Sequence, residues 1–412
     1  MFVPMDTVEA NYPEKQTATN PLMIRYHVYS RRIRTMLYLG GVLQDRTHSA
    51  IRTYIVGFSV ILMSLSHCIF LINLCRDHTD NLMLMVKYFS QIGSFIAPAL
   101  MSACFLIKRE KLIELHETLN DMFERELEQD QEAALATLYA FDRPFCIVFF
   151  TIAMTVLLHV CPPLISIIYQ IIHHTEPRRY RFPFPGKFPW TVPINDGFIF
   201  YLHFLYHLFL GWWTVFTISS VDSLFGFYAF QISSILYAMS VKLRSANLQP
   251  RGTFSEILET CVWTHRRLCQ CNYTLENIWQ PIILRMLLAN SILICILIFQ
   301  VTQLTDIIMS EIFLLIFYIT LKLLQTFMYA WYGNFITSTS EYFREGIYFS
   351  DWPDSSLDRH VRTNIIMTMM QKPMTIKALK VTSVNVNMFT NIVNTAVSYF
   401  FLLQSLDEGR ER

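Results

Sequence analysis

The residues that could do chemistry in this chain fall into a few small groups. His265, Cys269 and Cys271 place an imidazole and two thiols within two helical turns. That is part of a zinc donor set, but it has no fourth ligand at a finger-like spacing. His203 and His207 stand four residues apart, as a metal pair does on a helix. No glutamate or third ligand accompanies them, so they read as packing or pocket histidines and no metal is expected. The sequence shows no nucleophile motif, phosphate loop or carboxylate pair with catalytic spacing, so neither an enzyme nor a bound cofactor is expected. The nine cysteines have no framework spacing and sit mostly in apolar runs, where a free thiol is a small hydrophobe.

The strongest polar pattern is different in kind. Residues 386–406, VNMFTNIVNTAVSYFFLLQSL, carry no charge yet include three asparagines. With 100° per residue, Asn387, Asn391, Asn394, Ser398 and Ser405 share a narrow helical sector, and Ser383 continues it. Phe389, Ile392, Val393, Ala396, Phe400 and Leu403 occupy the opposite face. Two explanations compete: the amides and hydroxyls bond to neighbouring helices, or their face lines water. Phe401 and Leu402 interrupt the stripe near its outer end, where an apolar constriction could close a pore by dewetting. Asp407 and Glu408 follow, either as a cation-attracting mouth or as part of a solvated tail with Arg410 and Arg412.

The elements holding these residues are membrane helices. Of 412 residues, 53% are hydrophobic and only 16% charged, well below the usual quarter for a soluble protein. A net charge of +1 argues against a nucleic-acid partner. No signal peptide is expected in the first fifty residues, because Arg25, Arg31, Arg32 and Arg34 break the apolar stretches. Apolar runs predict seven crossings at 53–75, 88–107, 144–175, 197–221, 286–305, 312–340 and 381–406. Pro162 and Pro163 should bend the third, and the fourth continues to 241, beyond any bilayer. Lys322 lies inside the sixth and reads as snorkelling to the cytoplasm, with a hydrated conduit as the alternative; Arg285 reads as an interfacial anchor.

Flanking charge sets the direction. The amino-terminal region and even-numbered loops hold 23 Lys and Arg against 8 on the other side, placing the N-terminus in the cytoplasm and the C-terminus outside. The expected organisation is a cytoplasmic region 1–52, helices one to four with inward extensions at 53–241, anchor helices at 242–276 and helices five and six at 277–340. An anchor segment at 341–380, helix seven at 381–406 and an outer tail at 407–412 complete it. On the cytoplasmic side, 108–129 carries Leu112, Leu115, Leu119 and Phe123 at helical spacing. The stretch 254–271 repeats the pattern with Ile257, Cys261 and Leu268, predicting an intracellular helical bundle. The orientation opposes that of a G-protein-coupled receptor, and Asp142-Arg143-Pro144 precedes the third span instead of following it. The sequon at Asn272 falls on the cytoplasmic side. A transporter would show an internal repeat and paired midplane charges, and neither is visible.

The last third resembles the insect odorant receptor family. The residues that carry the resemblance are FMYAWYGN (327–334), FREGIYFSDWP (343–353), MMQKPMTIKALK (369–380) and SYFFLL (398–403), in family order. The fold so implied is an all-α membrane protein with seven transmembrane helices and a cytoplasmic anchor bundle that includes a short helix within 355–372. The function implied is an odorant-gated, non-selective cation channel at the plasma membrane of olfactory sensory neurons. Its partners would be co-receptor subunits in a heteromeric tetramer, a small volatile odorant and membrane lipid. The short 242–276 segment resembles an odour-tuning subunit, not the co-receptor, and a gustatory-receptor-type channel is the nearest alternative.

In this resemblance the seventh helix surrounds the pore, lined by Asn387, Asn391, Asn394, Ser398 and Ser405, and the gate maps onto Leu402 and Leu406. Odorant would sit in the outer halves of the second, third, fourth and sixth spans. Phe89, His159, Tyr201, Phe204, Phe317 and Tyr318 are the implied candidates, forming an aromatic-rich pocket with few polar handles.

Overall fold

A computed structural model describes residues 20–42, 50–174, 181–190, 197–245, 251–302, 309–350, 352, 359–378 and 382–410. The chain is almost entirely helical. In order it forms α1 (Pro21–Leu39), α2 (Ala50–Asp77), α3 (Leu82–Ile107), α4 (Arg109–Gln129), α5 (Gln131–Leu135), α6 (Tyr139–Ile172) and α7 (Gly197–Ser245). Then follow α8 (Arg251–Thr302), α9 (Met309–Tyr348), α10 (Arg359–Met370), the strands β1 (Lys377–Ala378) and β2 (Thr382–Ser383), and α11 (Val386–Arg410). Six of these helices, α2, α3, α6, α7, α8 and α9, are long and apolar enough to cross a bilayer. With 25 residues α11 is about 37 Å long and completes the seven.

Helix starts follow local chemistry. Asn20 caps α1 by accepting from the Leu22 amide at 3.0 Å, with Pro21 in the first turn. Asn81 caps α3 through the Leu84 amide, and Asn385 caps α11 through the Met388 amide. The cap explains why the last helix begins at Val386, later than its apolar run at 381. Residues 377–378 and 382–383 pair instead as a two-stranded antiparallel turn, with Lys377 opposite Ser383.

An exposed apolar surface of membrane dimensions runs along α2. Ile51, Ile55, Phe58, Leu62, Leu65, Ile69 and Ile72 are all exposed at alternating steps of three and four. They form one apolar seam about 31 Å long, the thickness of a hydrocarbon core. In water such a patch would drive aggregation.

Two helices extend far beyond a bilayer. The 49 residues of α7 run about 73 Å and the 52 of α8 about 78 Å, so anchor helix and crossing are one continuous rod in each. Their inner halves, with α4, α9 and α10, form the bundle that the amphipathic patterns predict. Leu112, Leu115, Leu119 and Phe123 of α4 are buried, as are Cys261 and Leu268 of α8. Lys242 of α7 pairs with Glu126 of α4 and reaches Gln129 Oε1 at 2.5 Å.

Docking of α1 onto this bundle uses charge and close approach. Arg25 Nε donates to Asp142 Oδ2 at 2.7 Å, so the acid of the Asp-Arg-Pro triplet is a structural partner of α1. Gly40 lies so close to α7 that a Cβ there would stand 2.3 Å from Ser220 Oγ. Asn272 is buried and donates to the Thr375 carbonyl, which hides the sequon asparagine.

Candidate ligand cavity and pore-facing helix

A cavity of about 860 Å³ opens between α3, α6, α7, α8, α9 and the outer segment 181–190. Its size lies at the upper end of small-molecule sites. The roof has a sequence explanation. In RFPFPGKFPW (181–190) alternating prolines fix φ and forbid a helix, so the phenylalanines are presented from an extended backbone. Phe184 packs edge-on to Phe95 of α3 at 5.2 Å between ring centres. The segment is fastened to α2 where the Lys187 amide donates to the Phe70 carbonyl at 3.1 Å and Lys187 Nζ meets Asp77 Oδ2 at 2.5 Å.

The sequence-derived candidates divide on position. His159 and Tyr318 line the cavity, with His159 Nδ1 2.8 Å from the Thr155 carbonyl. Phe89 is exposed on the far side of α3 and Tyr201 is exposed on α7. Phe204 packs in a separate outer cluster with Ile167 and Phe200. Phe317 is outside the described lining, and its neighbour Phe313 is within it. On α7 the wall is instead Thr214 and Ile218, more than two turns deeper than Phe204. The roof residues Arg181, Phe182 and Phe184 escaped a reading that looked for helical periodicity.

The floor departs from an aromatic pocket with few polar handles. Lys322 is only 4% exposed and lines the cavity with Tyr318 and Gln325. It turns inward to the cavity, and the snorkelling expected of it is not seen. Behind it, Asp222 of α7 accepts from Gln325 Nε2 at 2.8 Å and from the Tyr329 hydroxyl at 2.7 Å. Arg285 stands within electrostatic reach of Asp222, with its Nε and Nη1 buried and unpaired among the described residues. Arg285 is half-buried and turns its charge toward this network, where an interfacial anchor would turn it to the headgroups. Asn290 Nδ2 donates to Thr326 Oγ1 at 2.8 Å, adding another buried polar tie between α8 and α9.

The histidine and cysteine groups have structural surroundings. The Trp190 indole donates to His203 Nε2 at 2.8 Å, and His203 Nδ1 faces the Ile199 carbonyl at 2.7 Å, so both nitrogens are occupied. His207 stacks on Phe182 at 5.3 Å. In the anchor, His265 stacks on Phe343 at 5.1 Å with Cys269 Sγ 3.9 Å away. All nine cysteines are free.

The last helix is two-faced. Met388, Ile392 and Ala396 are buried against the subunit, whereas Asn387, Asn391, Asn394, Ser398 and Ser405 are exposed on it. Leu402 is 56% exposed beside this stripe; the Leu406 side chain lies outside the described residues. Ser398 satisfies its hydroxyl on the Asn394 carbonyl at 3.0 Å. α11 packs on α8 and α9. Phe389 meets Phe327 of α9 edge-on at 5.5 Å, and a Cβ on Gly333 of α9 would stand 2.1 Å from the Val384 carbonyl.

Comparison with known proteins places this architecture. The chain is 22% identical over 279 residues to Odorant receptor 13a of Drosophila melanogaster, an alignment spanning 64% of this chain and 66% of that protein. The solved structure of the olfactory receptor OR5 from Machilis hrabei superposes over 92% of this chain and 98% of its own with a TM-score of 0.72, at 14% identity. The same receptor in complex with eugenol gives a TM-score of 0.74 at 13% identity, covering 94% of this chain and all of that one. The profile of the 7tm odorant receptor family matches residues 81–397, which takes in the cavity, the anchor bundle and about the first half of the last helix. With seven membrane helices, an internal cavity and those motifs, this chain belongs to the seven-transmembrane odorant receptor family.

Proposed function

We propose that the chain is an odour-tuning subunit of a ligand-gated, non-selective cation channel, assembled with co-receptor subunits as a heteromeric tetramer in the plasma membrane of olfactory sensory neurons. Its ligand is a small volatile molecule held in the cavity, with membrane lipid against the α2 seam. The carrying observation is that α9 forms both a wall of the cavity and the surface on which α11 packs. Ligand contacts at Tyr318 and Leu321 lie on the same rod as Phe327 and Gly333, which touch Phe389 and Val384. A shift of α9 on filling the cavity therefore reaches the last helix directly.

The exposed stripe on α11 supports a pore role. Amides facing hydrocarbon would cost several kcal/mol each, so Asn387, Asn391 and Asn394 must meet water or another subunit. A ring of such helices around a central pore satisfies them. Energetics limit the ligand to modest differences: micromolar binding corresponds to about −8 kcal/mol, and gating uses only the part that differs between closed and open states. The chain is expressed with and without a co-receptor and challenged with a volatile panel under voltage clamp. Odour-evoked current that requires this chain supports the proposal. Substrate accumulation without channel current would replace it with carrier function.

A further inference from the structure

Lys322 is a membrane-depth cation with no anion of its own. It lies thirteen residues into α9 from Met309, about 20 Å along the helix. Its ammonium contacts the Tyr318 ring at 5.3 Å and makes no hydrogen bond or ion pair among the described residues. Nearby, Asp222 is the single acid facing two cations, Lys322 and Arg285, and both its oxygens are occupied by Gln325 and Tyr329. With all three groups ionised, one positive charge is left over at the cavity floor.

Two further donors or acceptors at the cavity lack partners. The Tyr318 hydroxyl, one turn before Lys322 on the same face of α9, is buried and unpaired, as is Gln91 Oε1 on α3. The outer end carries Lys87 and Arg181. Among the described residues the lining contains no aspartate or glutamate. Unpaired charge in hydrocarbon is expensive, and a site with surplus cation and free donors is made favourable by an anion that accepts from them.

Building on the receptor reading above, we propose that the preferred ligands are amphiphilic carboxylic acids. The carboxylate accepts from Lys322 Nζ and the Tyr318 hydroxyl, and the hydrocarbon tail extends toward the Phe184 roof. Carboxylic acids titrate near pH 4, so they are ionised in a neutral bath. The cations Lys87 and Arg181 raise the local concentration of such ligands at the entrance.

The test uses the full chain co-expressed with a co-receptor subunit and three ligands of matched length: heptanoic acid, heptanol and methyl hexanoate, at neutral pH. The acid is expected to have an EC50 about tenfold or more below the alcohol and ester, the worth of one charge-assisted hydrogen bond. Lys322→Met should raise the acid EC50 by about tenfold while leaving heptanol within about twofold, and Lys322→Arg should retain acid preference. If Lys322→Met does not reach the surface, the wild-type ranking and an acid-specific loss in Tyr318→Phe decide the matter. Equal potency of acid and alcohol, or an equal shift of all three ligands in Lys322→Met, overturns the proposal and leaves the receptor reading intact. Absence of current from surface-expressed assemblies, with these ligands and with a broad volatile panel, overturns both.

Discussion

At the scale of single residues, Leu402 and the α11 stripe carry the functional argument. Leu402 is large, apolar and exposed on a helix whose neighbouring face is polar, which fits the proposed role as a dewetting constriction. Leu402→Ala in the co-assembled channel is expected to raise current in the absence of odorant, measured under voltage clamp as ligand-independent leak. Unchanged leak and unchanged evoked current would remove Leu402 from the gate. The stripe was legible in the sequence because 100° periodicity needs no tertiary information. Lys322 was not. A lysine inside an apolar run has the same pattern whether it snorkels or faces a cavity, and only the position of Tyr318 and Gln325 on its face distinguishes the two.

Elements transmit what residues detect. Gly333, within FMYAWYGN, permits α9 to approach the backbone ahead of α11 more closely than any side chain allows. Gly333→Val is expected to separate them and abolish evoked current while surface expression and ligand binding persist, measured by comparing current with radioligand retention. Loss of ligand binding together with current would place Gly333 in the cavity instead. In the anchor bundle, burial against Phe343 lowers the His265 imidazole to about 4 from its ordinary 6.5. The unfolded chain binds this proton below pH 6.5 and the folded chain only below about 4. Stability contributed by neutral His265 is therefore lost as pH falls through that window, by at most about 3 kcal/mol. His265→Phe, which keeps the stacked ring, should flatten the drop in melting temperature between pH 7.5 and 5, read by thermal unfolding of the solubilised assembly. An unchanged drop would assign the acid sensitivity elsewhere. The inward projection of α7 was legible, because its apolar run continues to 241, whereas α8 was divided into an anchor helix and a separate crossing because its inner half switches to amphipathic patterning without a break in the backbone.

For the whole molecule, the crossings and the inward bundle were readable from apolar runs, loop charge and heptad-like spacing. The cavity was readable only as a set of helices. Phe89 and Tyr201 sit on the correct elements yet face outward; on α3 the face turned to the cavity carries Lys87, Ser90, Gln91 and Ser94, a polar spacing that a search for aromatic side chains passes over. The roof was illegible for the opposite reason: its Phe-Pro alternation has no helical period at all. The central claim is that this chain supplies both a ligand cavity and a share of the pore. Outside-out patches from cells co-expressing it with a co-receptor, with wild-type and Asn391→Asp chains compared, test both halves at once. The account predicts ligand-evoked unitary steps that require this chain and whose conductance changes with Asn391→Asp. Steps of identical conductance in the two assemblies, or ligand-evoked steps without this chain, would contradict it.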